Sequence, residues 1–374
     1  MNSESLEPKR FDQKNNMIMR PFWDPSLRHI HSRYAETQLR QIERESDGFG
    51  LKDYSLAASA SVLAFSFAVD INKANGGLTS WESLPPSVHF HFPESKTAVS
   101  DPVDMTQQLK RVARYLGADL VGVAKLDRRW VYSHHYIPET MESRPVEIED
   151  ACQYVVAMAV EMDYTMTKSA PTALAAAEFM RSYSRMAFLV SSTAQFIRHL
   201  GYKAIPSLND TALNVPIAVD AGLGELGRHG LLITPEFGPR QRLCKVITDL
   251  PLEPDRPKEF GVTRFCSLCR KCAERCPGQA IFAGKRSTEA LSVSNSAGVM
   301  KWPVAAEKCR EYWLKIGTSC GICVRVCPYN KRQTGIHRMN RWLTKYAPWL
   351  NSLYVRLDDR LGYGKRTDPK FFKQ

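Results

Sequence analysis

The sequence has no apolar run long enough to cross a membrane. Its most apolar stretch, residues 56–71, is short and is interrupted by serines and by Asp70. A transmembrane helix needs about 20 consecutive apolar residues, so we interpret this stretch as a buried core element. The first residues contain neither an apolar signal segment nor a twin-arginine pair. The sequence as written therefore predicts a cytoplasmic protein, and the alternative is a membrane-associated protein exported by a twin-arginine leader.

Histidine is absent from the two runs that contain most of the cysteines. The first run has the spacing C-x2-C-x2-C-x3-C-P, and the second ends in C-x2-C-x3-C-P. Such paired runs are typical of proteins with two [4Fe–4S] clusters, in which the fourth cysteine of each run ligates the other cluster. The spacing predicts two ligand sets: Cys266, Cys269, Cys272 and Cys327 for one cluster, and Cys276, Cys309, Cys320 and Cys323 for the other.

A pair of zinc knuckles and a disulfide scaffold are the alternatives for these runs. Zinc sites rarely place four cysteines so densely before a Cys-Pro pair, and they often include histidine. Cys309 is the least regular ligand, because it stands well upstream of Cys320. Cys152 and Cys244 lie outside both runs, and we expect them to be small buried side chains.

The net charge of +12 does not come from one long basic run or from a nucleic-acid recognition motif. We therefore expect no nucleic-acid partner. The remaining basic surface would attract an acidic electron donor. Some of the cations flank the cysteines, where they would offset the charge of the thiolates and raise the reduction potential: Arg270, Lys271, Arg275, Lys308, Arg310 and Arg325.

The chain of 374 residues is long enough for two or three domains. The patterns divide it into an N-terminal region (1–103), a core (104–260), a cluster-binding domain (261–335) and a tail that packs on the core (336–374). Helical spacing predicts helices over 104–117 and 171–201, the second with Pro171 in its first turn. Buried strands are predicted over 118–126, 152–160, 202–206 and 242–250, and a glycine-rich turn region over 218–233.

The glycine-rich region formally matches the dinucleotide fingerprint G-x-G-x-x-G through Gly222, Gly224 and Gly227. A dinucleotide site also needs an acidic residue about twenty positions further on, at the end of a second strand. That residue is missing, so the sequence does not predict NAD or FAD. The glycines would instead allow the backbone to approach a flat ligand, or would serve as turns.

The region from residue 201 to residue 255, followed directly by the cysteine runs, resembles the corrinoid-dependent reductive dehalogenases. The segments GADLVGVAKLDRRWVYSHHY, KWPVAAEKCREYW and LGYGKR fit the same family. The resemblance implies an α/β (α+β) fold in which a nitroreductase-like core binds a base-off cobamide and a C-terminal ferredoxin-like domain binds two [4Fe–4S] clusters. The motif D-x-H-x-x-G, which would place a histidine under cobalt, is absent from the sequence.

The resemblance implies three catalytic residues. Tyr183 matches the proton donor of the family, Arg242 matches the arginine beside it, and Asn209 matches an asparagine near the substrate. From the residues alone, Tyr183 is an ordinary core tyrosine on an apolar helix face, and Asn209 is a helix cap. Arg240 is the nearest competitor of Arg242. A buried arginine would lower the pKa of the tyrosine and stabilise its phenolate.

Backbone and hydroxyl groups in the same region are candidate corrinoid contacts: Ser207, Thr211, Gly222, Gly224, Gly227 and Thr234. The chain departs from the family at His229, where asparagine is frequent.

The resemblance implies a reductive dehalogenase that removes halide from a small organohalide. Electrons would come from reduced ferredoxin or flavodoxin, or from a membrane quinol-linked anchor protein. Two alternatives remain at this point. One is an epoxyqueuosine reductase, a tRNA-modifying relative with the same cofactors, although the carboxylate donor expected of that enzyme is not evident. The other is a plain iron–sulfur electron carrier without a substrate. The oligomeric state is not predicted.

Overall fold

A computed structural model describes residues 7–64, 95–368 and 371–372. The apolar stretch 56–71 was predicted to be a core element. Its second part, residues 65–71, lies outside the described residues. The helix α3 (Leu51–Ala60) occupies the beginning of the stretch and packs along a long central helix, where the hydroxyl of Ser184 donates to the carbonyl of Ala60 at 2.7 Å.

The centre of the fold is a four-stranded antiparallel sheet in the order β1-β4-β8-β5. The α+β form of the predicted fold class is therefore confirmed. In the register of the two middle strands, Val160 of β4 lies opposite Arg242 of β8. The four strands are β1 (Leu120–Lys125), β4 (Tyr154–Glu161), β5 (Ala204–Ser207) and β8 (Gln241–Thr248).

The two faces of the sheet are covered by different helices, because the middle strands are apolar on both sides. One face packs on the long helix α6 (Ala173–His199) through residues such as Val156, Val246 and Met186, all fully buried. The other face packs on the short helix α7 (Asn214–Asp220) through Ile217 and Ile247. A fully covered sheet of this kind holds β8 rigidly between its neighbours.

The helix α6 begins later than the sequence suggested. Its N-cap is Thr172, whose hydroxyl accepts a hydrogen bond from the amide of Ala175 at 3.2 Å. Pro171 therefore precedes the helix and does not occupy its first turn. The helix ends at His199, and Gly201 follows with φ of +86°, as expected of the glycine that ends a helix.

The glycine-rich region, which was predicted to be a turn region, contains helix and strand residues. Its first residues belong to α7, and the remainder forms a short hairpin of β6 (Glu225–Leu226) and β7 (Leu232–Ile233). A second short hairpin joins β2 (His134–Ile137) to β3 (Glu142–Pro145).

The cysteine runs are built from short helices, and the helices of both ends of the chain pack nearby. The hydroxyl of Tyr54 donates to the carbonyl of Gly317 at 3.1 Å. In the tail, Asp358 pairs with Lys271 at 2.7 Å and with Lys331 at 2.5 Å. The described part of the tail thus contacts the cysteine-rich region. None of the helices in the described ranges is long and apolar enough to span a membrane.

The remaining described α-helices are α1 (Arg20–Trp23), α2 (His29–Glu43), α4 (Pro102–Tyr115), α5 (Tyr164–Lys168), α8 (Val262–Leu268), α9 (Lys271–Glu274), α10 (Ala306–Ile316), α11 (Ile322–Arg325), α12 (Gly335–Tyr346) and α13 (Asn351–Arg360).

Candidate active site

Three residues predicted from separate segments meet in the structure. Tyr183 lies on α6, Asn209 on the loop after β5, and Arg242 on β8. Asn209 donates from Nδ2 to the phenol oxygen of Tyr183 at 2.8 Å. The guanidinium carbon of Arg242 lies 5.3 Å from the centre of the Tyr183 ring and 4.9 Å from that of Phe179. The phenol therefore has an amide donor and a cation beside it, and because Asn209 is exposed a substrate can approach from solvent.

Arg240, the competitor of Arg242, has a different environment. It is buried, pairs with Glu161 at 2.5 Å and donates to Asn330 Oδ1 at 3.0 Å and to the carbonyl of Met162. These contacts join β8 to the end of β4 and to the second cysteine run. Arg240 thus has structural partners, whereas Nε of Arg242 is buried without a hydrogen-bond partner among the described residues.

Asn209 is held by a second asparagine and a buried lysine that sequence reasoning missed. Lys245, fully buried on β8, donates from Nζ to Asn214 Oδ1 at 2.9 Å and to the carbonyls of Leu208 and Asp210 at 3.1 Å. Asn214 in turn donates from Nδ2 to Asn209 Oδ1 at 3.0 Å. A continuous chain of hydrogen bonds therefore runs from Lys245 to Tyr183.

The lysine determines the direction of this chain. An ammonium has three donors and no acceptor, so it faces the oxygen of the Asn214 amide and leaves its nitrogen toward Asn209. Asn209 must then accept with its oxygen and donate with its nitrogen to Tyr183. The phenol oxygen is an acceptor in this bond, and its own proton points elsewhere, available for transfer.

The predicted hydroxyl contacts with a corrinoid have internal partners in the structure. Ser207 is buried and donates to the carbonyl of Asp210 at 2.5 Å. Thr234 is buried and accepts from the amide of Phe237 at 3.0 Å. Thr211 has a positive φ of 67° and its hydroxyl donates to a carboxylate oxygen of Asp210 at 3.1 Å. These hydroxyls shape the loops around Asn209 and β7.

The predicted glycine contacts are explained by close packing inside the protein. A side chain on Gly222 would lie 2.5 Å from the carbonyl oxygen of Arg256, and one on Gly224 would lie 2.4 Å from that of Ile233. A side chain on Gly227 would collide with Ile233 and with the ring of His229, at 2.7 and 2.8 Å. The glycines are thus required by backbone and side-chain packing.

Two further polar atoms, one on β8 and one just after the second cysteine run, are buried without a partner in the described structure. They are Gln241 Oε1 and Asn330 Nδ2, and their other amide atoms bond to Leu232 and Arg240. Buried polar groups are normally satisfied, so such a group marks a place where a polar ligand fits. The only sequence signal for Asn330 is its place just after the Cys-Pro pair of the second run.

The four cysteines of the first predicted ligand set line one cavity. His229, Phe265, Pro328 and Tyr329 complete its wall. Within the described residues, no three Cys, His, Asp or Glu side chains converge on a point as ligands of a single metal ion do. The four cysteines are Cys266, Cys269, Cys272 and Cys327.

The second predicted set also comes together, next to the helix that carries Tyr183. Cys276, Cys320 and Cys323 pack in one apolar group with Ile322, and Cys272 of the first set belongs to the same group. Burial raises the pKa of Cys309, and the nearby Cys276 raises it further. Cys323 also packs with Phe179, four residues before Tyr183 on α6. All ten cysteines are free of disulfides.

Burial raises the pKa of the Cys266, Cys272 and Cys320 thiols to about 12. Metal ligands must be thiolates, so loading of iron releases protons from these side chains. Buried cations stand close by. One of them is Arg228, which donates to the carbonyls of Cys266 at 2.7 Å and of Cys269 at 3.2 Å.

Two family models match the chain. A model described as a reductive dehalogenase subunit matches residues 136–252, which include three of the four strands of the sheet, α6 and the Tyr183 site. A model described as a 4Fe-4S double cluster binding domain matches residues 265–330, which include all eight cysteines of the two runs.

Relatives and solved structures agree with these models. A tetrachloroethene reductive dehalogenase of Sulfurospirillum multivorans is 37% identical over 90% of this chain and 74% of its own length. A catabolic reductive dehalogenase solved with 3-bromo-4-hydroxybenzoic acid is 31% identical, with a TM-score of 0.64 over 74% of this chain. A tagged form matches 96% of this chain with a TM-score of 0.74 at 25% identity. This chain spans 40% and 47% of the lengths of those two structures.

Epoxyqueuosine reductase is a weaker match. The enzyme of Lactococcus garvieae is 34% identical, but only over 32% of this chain.

Proposed function

Because the chain belongs to the reductive dehalogenase family, we propose that it replaces the halogen of a small organohalide with hydrogen. The reaction consumes two electrons and one proton and releases halide. The observation that supports this proposal most directly is the phenol of Tyr183, held by Asn209 and flanked by Arg242, beside a domain with eight grouped thiols.

Tyr183 is proposed as the proton donor. Its oxygen accepts a hydrogen bond from Asn209, so the phenol proton is free to pass to the carbon that loses halide. The phenolate left behind is costly unless charge of opposite sign is fixed nearby. Arg242 provides that charge and cannot lose it at physiological pH.

The eight grouped cysteines are proposed to ligate two [4Fe–4S] clusters. Thiolates are the ligands that such clusters use, and the crossed arrangement follows the grouping in space. The first cluster takes Cys266, Cys269, Cys272 and Cys327, and the second takes Cys276, Cys309, Cys320 and Cys323. Neighbouring cations such as Arg228 offset their negative charge.

A corrinoid is the proposed cofactor, because the solved reductive dehalogenase structure that this chain resembles was described as B12-dependent. When bound, it supplies a cobalt centre that reacts with the carbon–halogen bond. Gln241 Oε1 and Asn330 Nδ2, both buried without partners in the described structure, would hold amide groups at its edge. The glycine and hydroxyl residues in and beside β6 and β7 would keep the neighbouring loops in position.

The electron donor is proposed to be an acidic protein such as a reduced ferredoxin or flavodoxin. The net charge of +12 favours an acidic partner over a basic one. A membrane quinol-linked anchor protein is the other proposed donor.

The test is halide release from organohalides by protein reconstituted anaerobically with iron, sulfide and a corrinoid, with reduced methyl viologen as donor. We expect halide and the dehalogenated product in equal amounts. Protein that carries both cofactors but releases no halide from chlorinated ethenes or halogenated phenols would contradict the proposal. Reduction of epoxyqueuosine in tRNA by the same protein would favour the tRNA-modifying alternative.

A further inference from the structure

His229 is the one imidazole in the wall of the first cysteine cavity. Its ring is held in place by tight packing, because Gly227 leaves room for it where even a single carbon would lie 2.8 Å from His229 Cε1. The preceding residue, Arg228, donates a hydrogen bond to the carbonyl of Cys266 and so holds the loop that carries this cysteine. The ring and the cysteine loop therefore have a fixed relation to each other.

The protonation of the ring follows from its hydrogen bonds. The backbone amide of Leu231 donates to His229 Nδ1 at 3.2 Å, so Nδ1 carries a lone pair. The proton of the imidazole is consequently on Nε2. Nε2 is buried and has no partner among the described residues.

None of the other described side chains in the wall accepts this proton. Phe265 and Pro328 have no polar side-chain atom, and the hydroxyl of Tyr329 is bonded to Thr344 Oγ1 at 3.2 Å. The remaining wall residues are cysteines. A buried donor that lacks a partner is unfavourable, and the four cysteines place sulfur in the same cavity wall.

We propose that His229 donates a hydrogen bond from Nε2 to a sulfur of the iron–sulfur cluster held by Cys266, Cys269, Cys272 and Cys327. This inference rests on the cluster assignment in the proposed function. Reduction adds negative charge to the cluster, and a donor to sulfur stabilises that charge, so the bond raises the reduction potential. His229 is thus a positioning and tuning residue for electron transfer, not a catalytic one.

The test uses protein labelled with ¹⁵N only in histidine, loaded with clusters and reduced. Pulsed electron paramagnetic resonance should detect a weak ¹⁵N coupling to the reduced cluster. His229→Gln keeps an N–H donor but contains no labelled ring, so the coupling should vanish while the potential stays near that of the wild type. His229→Phe removes the donor, so one of the two cluster potentials should become more negative while the other does not move.

The matched control is Tyr329→Phe, which removes a hydroxyl from the same cavity wall that bonds away toward Thr344. It should change neither the coupling nor the potential. The inference is overturned if the wild type shows no ¹⁵N coupling, or if the coupling survives in His229→Gln. If His229→Phe does not retain its cluster, the presence or absence of the ¹⁵N coupling in His229→Gln still tests the inference. Protein that passes these tests but releases no halide would refute the proposed function and leave this inference intact.

Discussion

The amide nitrogen of Asn209 lies 2.8 Å from the phenol oxygen of Tyr183, and this contact joins the long helix to the loop after β5. It makes the phenol oxygen an acceptor. The phenol proton is therefore not used in holding the ring, and the residue combines a fixed position with a free acidic hydrogen.

The first prediction concerns the removal of this phenol hydrogen. Tyr183→Phe should reduce halide release by about 10²-fold or more, the usual contribution of a positioned acid, while iron, sulfide and corrinoid contents stay unchanged. Tyr202→Phe is the control, because its hydroxyl donates to the carbonyl of Thr97 away from the site. Turnover at the wild-type rate in Tyr183→Phe would identify Tyr183 as an ordinary core tyrosine.

Arg242 should contribute to turnover and Arg240 to structure. Arg242→Ala should lower kcat more than Arg242→Lys, because lysine keeps the charge that stabilises the phenolate but loses the planar guanidinium. Arg240→Ala should instead destabilise the fold, since Glu161 and Asn330 would lose a buried partner. Thermal unfolding and kcat measured on all three variants check this division. Equal kinetic and stability losses in the Arg240 and Arg242 variants would argue against it.

The direction of the hydrogen-bond chain from Lys245 to Tyr183 predicts that turnover depends on a single atom, the amide nitrogen of Asn214. Asn214→Asp keeps an acceptor for Lys245 but cannot donate to Asn209, so the Asn209 amide should turn and present its oxygen to Tyr183. The phenol proton would then be held in that bond. We expect kcat to fall about tenfold, the equivalent of one hydrogen bond, with KM little changed. Asn214→Ala leaves Asn209 unbiased and should be less impaired, and the reverse order would contradict this mechanism.

Alkaline pH should weaken the same chain of hydrogen bonds from Lys245 to Tyr183. Burial lowers the pKa of Lys245 to about 8, although the neighbouring Asp210 and Cys244 raise it. Below that pH the ammonium has three donors for its three acceptors, and above it the neutral amine has two. Turnover should therefore be high below about pH 8 and fall as the pH rises through it.

The Lys245→Met variant tests this assignment. Its turnover should be lower and should not decline between about pH 7 and pH 9 in the way that wild-type turnover does. Lys110→Met, which removes a lysine paired with Asp255 elsewhere in the fold, should retain the decline. An unchanged decline in Lys245→Met would assign the titration to another group.

Iron content tests the crossed ligation. Wild-type protein should bind about eight iron and eight sulfide ions per chain, and loss of either cluster should halve this. If Cys266 and Cys327 ligate the same cluster, as proposed, replacing both by alanine should cost no more iron than replacing one. Replacing Cys276 and Cys327 together should remove nearly all iron. If ligation stayed within each run, Cys266 with Cys276 would be the pair that loses only half.

The candidate site residues were predicted from local spacing and from the family resemblance. The cysteine runs carry their own spacing signal, and the two ligand sets drawn from that spacing stay a prediction, although the first set lines one cavity. The α+β class followed from the family resemblance and from strands and helices with clear periodicity. Tyr183, Asn209 and Arg242 came from the resemblance alone, since each has an equally good structural explanation in its own segment.

Sequence reasoning missed contacts that exist only between segments. Lys245 looks like a polar residue in an apolar strand, and its three acceptors all come from another part of the chain. Gly222 and Gly224 looked like an approach to a ligand, but the backbone that they approach is that of residues 256 and 233. Sequence periodicity carries no information about which distant backbone fills such a space.

The pairing of Asp358 with Lys271 and Lys331 has a consequence for biosynthesis. These lysines lie in or just after the two cysteine runs, whereas the carboxylates that pair with them, those of Asp358 and Asp359, lie in the tail. Translation proceeds from the N-terminus, so all eight cysteines leave the ribosome before Asp358 does. Two lysines that end up buried remain unpaired during that interval, which makes docking of the tail a late step in the maturation of the cluster-binding region.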